Sequence, residues 1–264
     1  MNVFNKSILI LIVLLFTSCE QKSVTIDFNE NINIGFMETF NDQGKKEFLL
    51  FCGPEQNCYC MEAELLYRYF RFGSNIECNL LEIQIPKGCH DNYGKASASI
   101  MLGSLPNGKY NIRINTKENS NTAILNITDT AYCVKIDRND NINLIWGHYR
   151  RVFNNTLWGA FSYNTENELN KGLSLIDTLT ALGAQPTTLE DGDYSFFSIE
   201  NGKPIKSLVQ IVPHSYSGKE IAFVFDYNFD DEKLKILLTK YIHTSGDLYI
   251  MVRSGKGFSF YNWR

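Results

Sequence analysis

Between residues 23 and 136 the chain is a succession of segments each long enough for one strand: VTIDF, KEFLLF, AELLYRYFRF, NIECNLLEIQI, ASASIML, KYNIRIN, TAILNIT and AYCVKI. They are rich in Ile, Leu, Tyr and Phe, and several alternate apolar with polar residues. Turn-forming clusters such as NDQGK, GPEQN, GSN, LPNG and KENSN separate them. Side chains on a strand point to opposite faces with a period of two, so a sheet covered on one face is written in this way. Seven or eight such strands at regular spacing predict a β-sandwich over residues 24–136.

Past Ile136 the rhythm changes. TLWGAFSYN reads as a strand, and TENELNKGLSLIDTLTALGAQP as a helix, with Thr165 and Glu168 as a capping box at its start and Gly183 and Pro186 at its end. Leu169, Leu173, Ile176 and Leu179 or Thr180 mark its expected apolar face. YSFFSI and EIAFVFDY follow as strands. DDEKLKILLTKYIHT is a second helix, capped by Asp230, with Leu234, Leu237, Leu238, Tyr241 and Ile242 inward, and GDLYIMVRS with GFSFYNW closes as a hairpin around SGKGF. The order β-α-β, then β-α-β-β, predicts a ferredoxin-like α/β domain over residues 158–264, with residues 137–157 as the junction. The expected class is α+β in two domains.

The chain opens MNVFNKSILILIVLLFTSC, with one charge at Lys6 and an apolar run from Ile8 to Phe16. That run is shorter than the roughly 20 residues a membrane-crossing helix needs, and its flanks are those of an export signal. LLFTSC resembles a bacterial lipoprotein signal. The resemblance implies that residues 1–18 are removed, that Cys19 is lipidated and becomes the N-terminus, and that residues 19–23 are a short polar tether. Several acyl chains, each contributing about 0.8 kcal/mol per buried methylene, then hold the protein on a membrane. The bacterial outer membrane is the expected site, with the folded part facing the periplasm or the cell surface. A second resemblance lies in GSLPNGKYNIRINTKENSNTAILNI. Leu105, Gly108 and Tyr110 stand as Leu-x-x-Gly-x-Tyr before two pairing strands, as in the closing hairpin of exported bacterial immunoglobulin-like domains, which implies that the sandwich is immunoglobulin-like.

Apart from Cys19, the cysteines are Cys52, Cys58, Cys60, Cys78, Cys89 and Cys133, an even number with none beyond residue 133. In an oxidising compartment this favours a disulfide framework confined to the first half. Cys58 and Cys60 have one residue between them and Cys89 adjoins His90, so neither zinc-ligand nor C-x-x-C redox spacing is present. On a strand, Cys58 and Cys60 point to opposite faces and require different partners.

The other tests for chemistry are negative. With 25 Lys+Arg against 29 Asp+Glu the net charge is −4, which offers no general attraction to nucleic acid. Asp137, Asn139 and Asn141, and again Asp226, Asn228 and Asp230, open like calcium loops. Both lack the turn glycine and the closing glutamate, so turn and cap roles are expected of them and no metal site. His90, His148, His214 and His243 are scattered, and no phosphate loop, dinucleotide motif or nucleophile elbow occurs, so no cofactor is expected. His214-Ser215 in a loop is the only hydrolase candidate.

The residues 144–163, LIWGHYRRVFNNTLWGAFSY, concentrate aromatic and arginine side chains. Trp, Tyr and Arg dominate binding hot spots, so Trp146, Tyr149, Arg150, Arg151 and Trp158 are the partner-binding candidates, with packing at the junction as the competing role. The expected function is a non-enzymatic binding module for a protein or glycan at the cell envelope. The alternatives are an immunity or inhibitor lipoprotein directed against a toxin or protease, and a hydrolase using the His214 loop.

Overall fold

The computed structural model describes residues 24–26, 31–55, 60, 63–86, 96–205, 219–241 and 248–262, and of residues 24–26 and Trp146 the backbone alone. Among these residues the chain is mostly β, with three sheets and two helices. Strands β2 (Ile32–Phe40), β3 (Lys46–Pro54), β6 (Ala98–Gly103) and β10 (Ile142–Trp146) form a four-stranded sheet in the order β10-β2-β3-β6. A ten-stranded sheet runs through β1 (Val24–Ile26), β5 (Asn75–Ile85), β7 (Gly108–Asn115), β8 (Ser120–Ile127), β9 (Ala131–Arg138), β11 (His148–Arg150), β14 (Gly192–Tyr194), β15 (Phe197–Glu200) and β16 (Lys203–Ile205). Its tenth strand, β4 (Glu64–Phe72), pairs with β5.

These two sheets share one core. Ile34, Phe36, Leu50 and Ile100 come from the smaller sheet, and Leu80, Ile112, Ile114, Leu125 and Tyr132 from the larger. The period-two pattern is the cause: on β7, Tyr110, Ile112 and Ile114 are buried while Asn111 and Arg113 are exposed. Each such burial contributes about 1.5–3 kcal/mol. Phe48 and Tyr132 meet edge to face across the core, with ring centroids 5.1 Å apart. The Leu-x-x-Gly-x-Tyr turn is closed by Tyr110, whose hydroxyl donates to the Pro106 carbonyl at 2.8 Å.

The segment expected as a junction is itself sheet. β10 lies parallel to β2, and β11 lies antiparallel to β9 and leads on to β14. The larger sheet thus takes strands from well beyond residue 136. Its last three strands form an arm that carries Phe196 and Phe197 onto Trp158.

The third sheet has the order β13-β17-β12-β18-β19, from β12 (Thr156–Tyr163), β13 (Gln185–Pro186), β17 (Lys219–Asp226), β18 (Tyr249–Ser254) and β19 (Ser259–Tyr261), and every pair is antiparallel. One face packs against α1 (Glu166–Ala181) and α2 (Asp231–Thr239) through Leu157, Phe161, Phe223, Leu175, Leu179, Leu234 and Leu238. Trp158 and Val224 on the opposite face pack against Phe196, Phe197 and Ile199. β12 is therefore covered on both sides, which is why its sequence runs without a polar residue from Leu157 to Phe161 rather than alternating.

The capping box of α1 is present: Thr165 Oγ1 accepts from the Glu168 amide at 3.3 Å, and the Glu168 carboxylate accepts from the Thr165 amide at 3.0 Å. The expected apolar face holds at Leu179, with Leu169 and Ile176 partly buried against the same core, and fails at Leu173. Gly172, Leu175 and Leu179 point inward, while Leu173 is 40% exposed. A Cβ on Gly172 would stand 2.2 Å from the Phe161 ring, so the absence of a side chain there lets the helix settle on Phe161 and turns Leu173 outward. Asp230 caps α2 by accepting from the Glu232 amide.

Two turns from distant parts of the chain meet at Gly44 and Gly257. Both have positive φ, and a Cβ on either would lie 2.5 Å from the backbone of the other turn. This approach joins the β2–β3 hairpin to the β18–β19 hairpin.

Candidate functional site

The residues singled out as a partner surface are structural wherever their side chains are described. Tyr149 is 2% exposed and stacks on Tyr132, and Trp158 is 1% exposed and stacks on Phe196 and Phe197. Arg151 pairs with Glu38 and also donates to Asn107 Oδ1 and the Thr128 carbonyl. Arg150 donates from Nε to the Asp191 carbonyl at 2.9 Å and pairs with Glu190. Aromatic residues in β11 and β12 are buried because a strand with sheet neighbours and a covering layer leaves no free face. Tyr149 and Trp158 thus present no surface to a partner, Arg150 and Arg151 are engaged internally, and Trp146 lies outside the described side chains.

The disulfide expectation requires correction at three of the cysteines. Cys52, Cys78 and Cys133 are free thiols. Within their sheets Cys52 lies opposite Ile34 and Ala98, Cys78 opposite Tyr69 and Ile114, and Cys133 opposite Asn126 and His148, so each ladder offers them no thiol. Cys52 and Cys78 serve as small apolar core residues. Burial pushes the Cys78 thiol up to about 12 and holds that of Cys52 well above its ordinary value. Cys60 is buried and disulfide-bonded, with its partner outside the described residues. Cys19, Cys58, Cys89, His90, His214 and His243 also lie outside them.

The calcium-like clusters have turn roles, since Asn139 Oδ1 accepts from the Ile142 amide and Asp226 from the Asn155 side chain. Among the described residues no group of three or more His, Cys, Asp or Glu side chains could hold a metal ion.

The surface that stands out is the outer face of the larger sheet at β4, β5, β7 and β8, which sequence reasoning missed. A groove of about 690 Å³ runs across it. Phe70 is 58% exposed and Phe72 87%, although both belong to a well-formed strand. The signal was in YRYFRF, where aromatic residues occupy both parities of one strand. Tyr69 packs against the core, so Phe70 and Phe72 are left facing outward.

Strand register orders this face in two rows. Phe72, Asn75, Asn111 and Ile124 lie side by side, and Phe70, Glu77, Arg113 and Thr122 form the next row. The amides are held in place: Asn111 Nδ2 donates to Asn75 Oδ1 at 3.1 Å, and Asn115 Nδ2 donates to Asn79 Oδ1 at 2.7 Å and to Glu77 Oε1 at 3.1 Å. Ser120 Oγ donates to Asn115 Oδ1 at 2.7 Å, and the Arg113 guanidinium faces the Glu77 carboxylate at 4.0 Å. The result is a polar floor of fixed side chains beside two exposed rings, which suits binding rather than bond breaking.

A second concavity, of about 530 Å³, lies beside Glu38, Lys46, Arg151 and Lys256. Its groups are engaged internally: Glu38 by Arg151, Lys46 by the Val152 carbonyl, and Lys256 by the Phe229 carbonyl and the Tyr227 ring. Burial lowers the Lys46 ammonium from its usual range. Comparison with protein-family models, with curated proteins and with solved structures gives no match.

Proposed function

We propose that this protein is an exported, lipid-anchored binding module of the cell envelope, and that its ligand docks on the outer face of the larger sheet. The observation that carries the reading is the exposure of Phe70 and Phe72 above a groove in which Asn75 is bonded to Asn111 and Glu77 faces Arg113. Exposed aromatic side chains grouped over an ordered surface mark interaction sites. The LLFTSC segment supports anchoring through Cys19 in a bacterial membrane, most simply the outer membrane, with the folded part in the periplasm or at the cell surface.

We read the two-sheet half as immunoglobulin-like, on the support of its shared core and the Tyr110 turn. The third sheet, with two helices on one face and the antiparallel order β13-β17-β12-β18, supports a ferredoxin-like unit extended by β19 and interrupted by the β14–β16 arm.

The test is co-sedimentation of the full chain carrying Cys19→Ser, which removes the acyl anchor, with isolated cell envelopes. Saturable binding that is lost in the Phe70→Ala, Phe72→Ala double variant is expected. Equal binding by a double variant with an unchanged circular dichroism spectrum removes the reading.

A further inference from the structure

Resting on that reading, we infer that the ligand of the outer face is a neutral glycan, bound with sugar rings against Phe70 and Phe72 and hydroxyl pairs on the asparagine floor. The hydrogen-bond inventory points to this class. Asn111 and Asn75 each use one half of a carboxamide on the other, at 3.1 Å, and both line the groove. Whichever way the two amides are turned, their bond consumes one donor group and one acceptor and leaves an acceptor on one and a donor group on the other of two cross-strand neighbours. A vicinal diol presents the matching pair, because each hydroxyl both donates and accepts.

The rings supply the second half. Phe72 is the cross-strand neighbour of Asn75, and Phe70 of Glu77. Two residues apart on one strand, the rings stand about 7 Å apart on the same face. The face of a pyranose carries C–H groups that pack on an aromatic ring, whose negative face attracts them, while the hydroxyls at the ring edge reach outward. An aromatic column beside an amide column therefore matches a sugar, with its apolar face and polar rim.

Charge decides against other ligands. Arg71 and Arg113 are balanced by Glu77 and Asp137 in the groove lining, with Arg113 facing Glu77, so the groove carries no net charge of either sign. An anionic lipid surface or a nucleic acid would call for an excess of basic groups, which the groove lining lacks. Binding to a neutral glycan should accordingly be insensitive to salt.

The experiment uses the same Cys19→Ser chain and envelopes in two parallel treatments. One is sodium periodate, which cleaves vicinal diols, and the other is exhaustive proteolysis. Periodate should reduce co-sedimentation at least tenfold while proteolysis leaves it within twofold, and 0.5 M sodium chloride should leave it unchanged. Asn75→Ala and Asn111→Ala, each with an unchanged circular dichroism spectrum, should weaken binding at least tenfold. Loss of binding on proteolysis but not on periodate treatment overturns the glycan inference and leaves the binding-module reading standing. Failure of untreated envelopes to bind the chain overturns both.

Discussion

Arg151 donates to a single oxygen of Glu38 twice, from Nε at 2.9 Å and from Nη2 at 2.6 Å, and the Glu38 side chain is only 4% exposed. The pair ties β2 to the residue following β11, and so links the smaller sheet to the larger. Removing one partner of a buried ion pair leaves the other charge desolvated, at a cost of about 3–5 kcal/mol. Arg151→Met should lower unfolding stability by about that amount, as read from urea denaturation at neutral pH, without altering envelope binding.

The two aromatic sets should separate cleanly under mutation. Trp158→Ala and Tyr149→Ala remove fully packed rings and should each cost about 3–5 kcal/mol in the same assay. Phe72→Ala removes an exposed ring and should change stability by no more than about 0.5 kcal/mol. Phe72→Ala proving as destabilising as Trp158→Ala would show that the ring is covered and unavailable to a ligand.

Gly172 makes a prediction that helix propensity alone reverses. Alanine is a better helix former than glycine by about 1 kcal/mol, yet a Cβ here meets the Phe161 ring at 2.2 Å. Gly172→Ala should destabilise by about 1–3 kcal/mol, and pairing it with Phe161→Leu should recover part of the loss in a double-mutant cycle.

The free thiols should differ in reactivity. Cys133 is exposed and should react with a maleimide in the native state, whereas Cys52 and Cys78 should react only on unfolding. The folded-state value of Cys78 is raised from 9.0 to about 12, so its neutral form is favoured by folding. That contribution to stability is complete below pH 9 and is lost as pH rises through about 12. Stability should therefore fall across this alkaline window, and Cys78→Ala should flatten the fall when chemical denaturation is repeated at stepwise pH.

Much of the architecture was legible because it depends on neighbours in sequence. Strand alternation on β7 and the Thr165–Glu168 box follow from residues within one turn or one strand of each other, and they appear where expected. Leu173 was wrongly assigned to the apolar face of α1 because a pattern of large side chains cannot register that a glycine marks the point of closest packing. The site was missed for a related reason: Tyr149 and Trp158 have the composition of a hot spot, and only the layers laid over them make them core.

The sequence by itself determined strands such as β7, β8 and β9 and the starts of both helices, since backbone hydrogen bonding and side-chain periodicity are local. Tertiary structure decided which aromatic faces are covered and which remain open. Phe72 is exposed and Trp158 buried because the β14–β16 arm returns over Trp158 and no described element returns over Phe72. That difference arises from contacts between residues far apart in the chain, which no local pattern encodes.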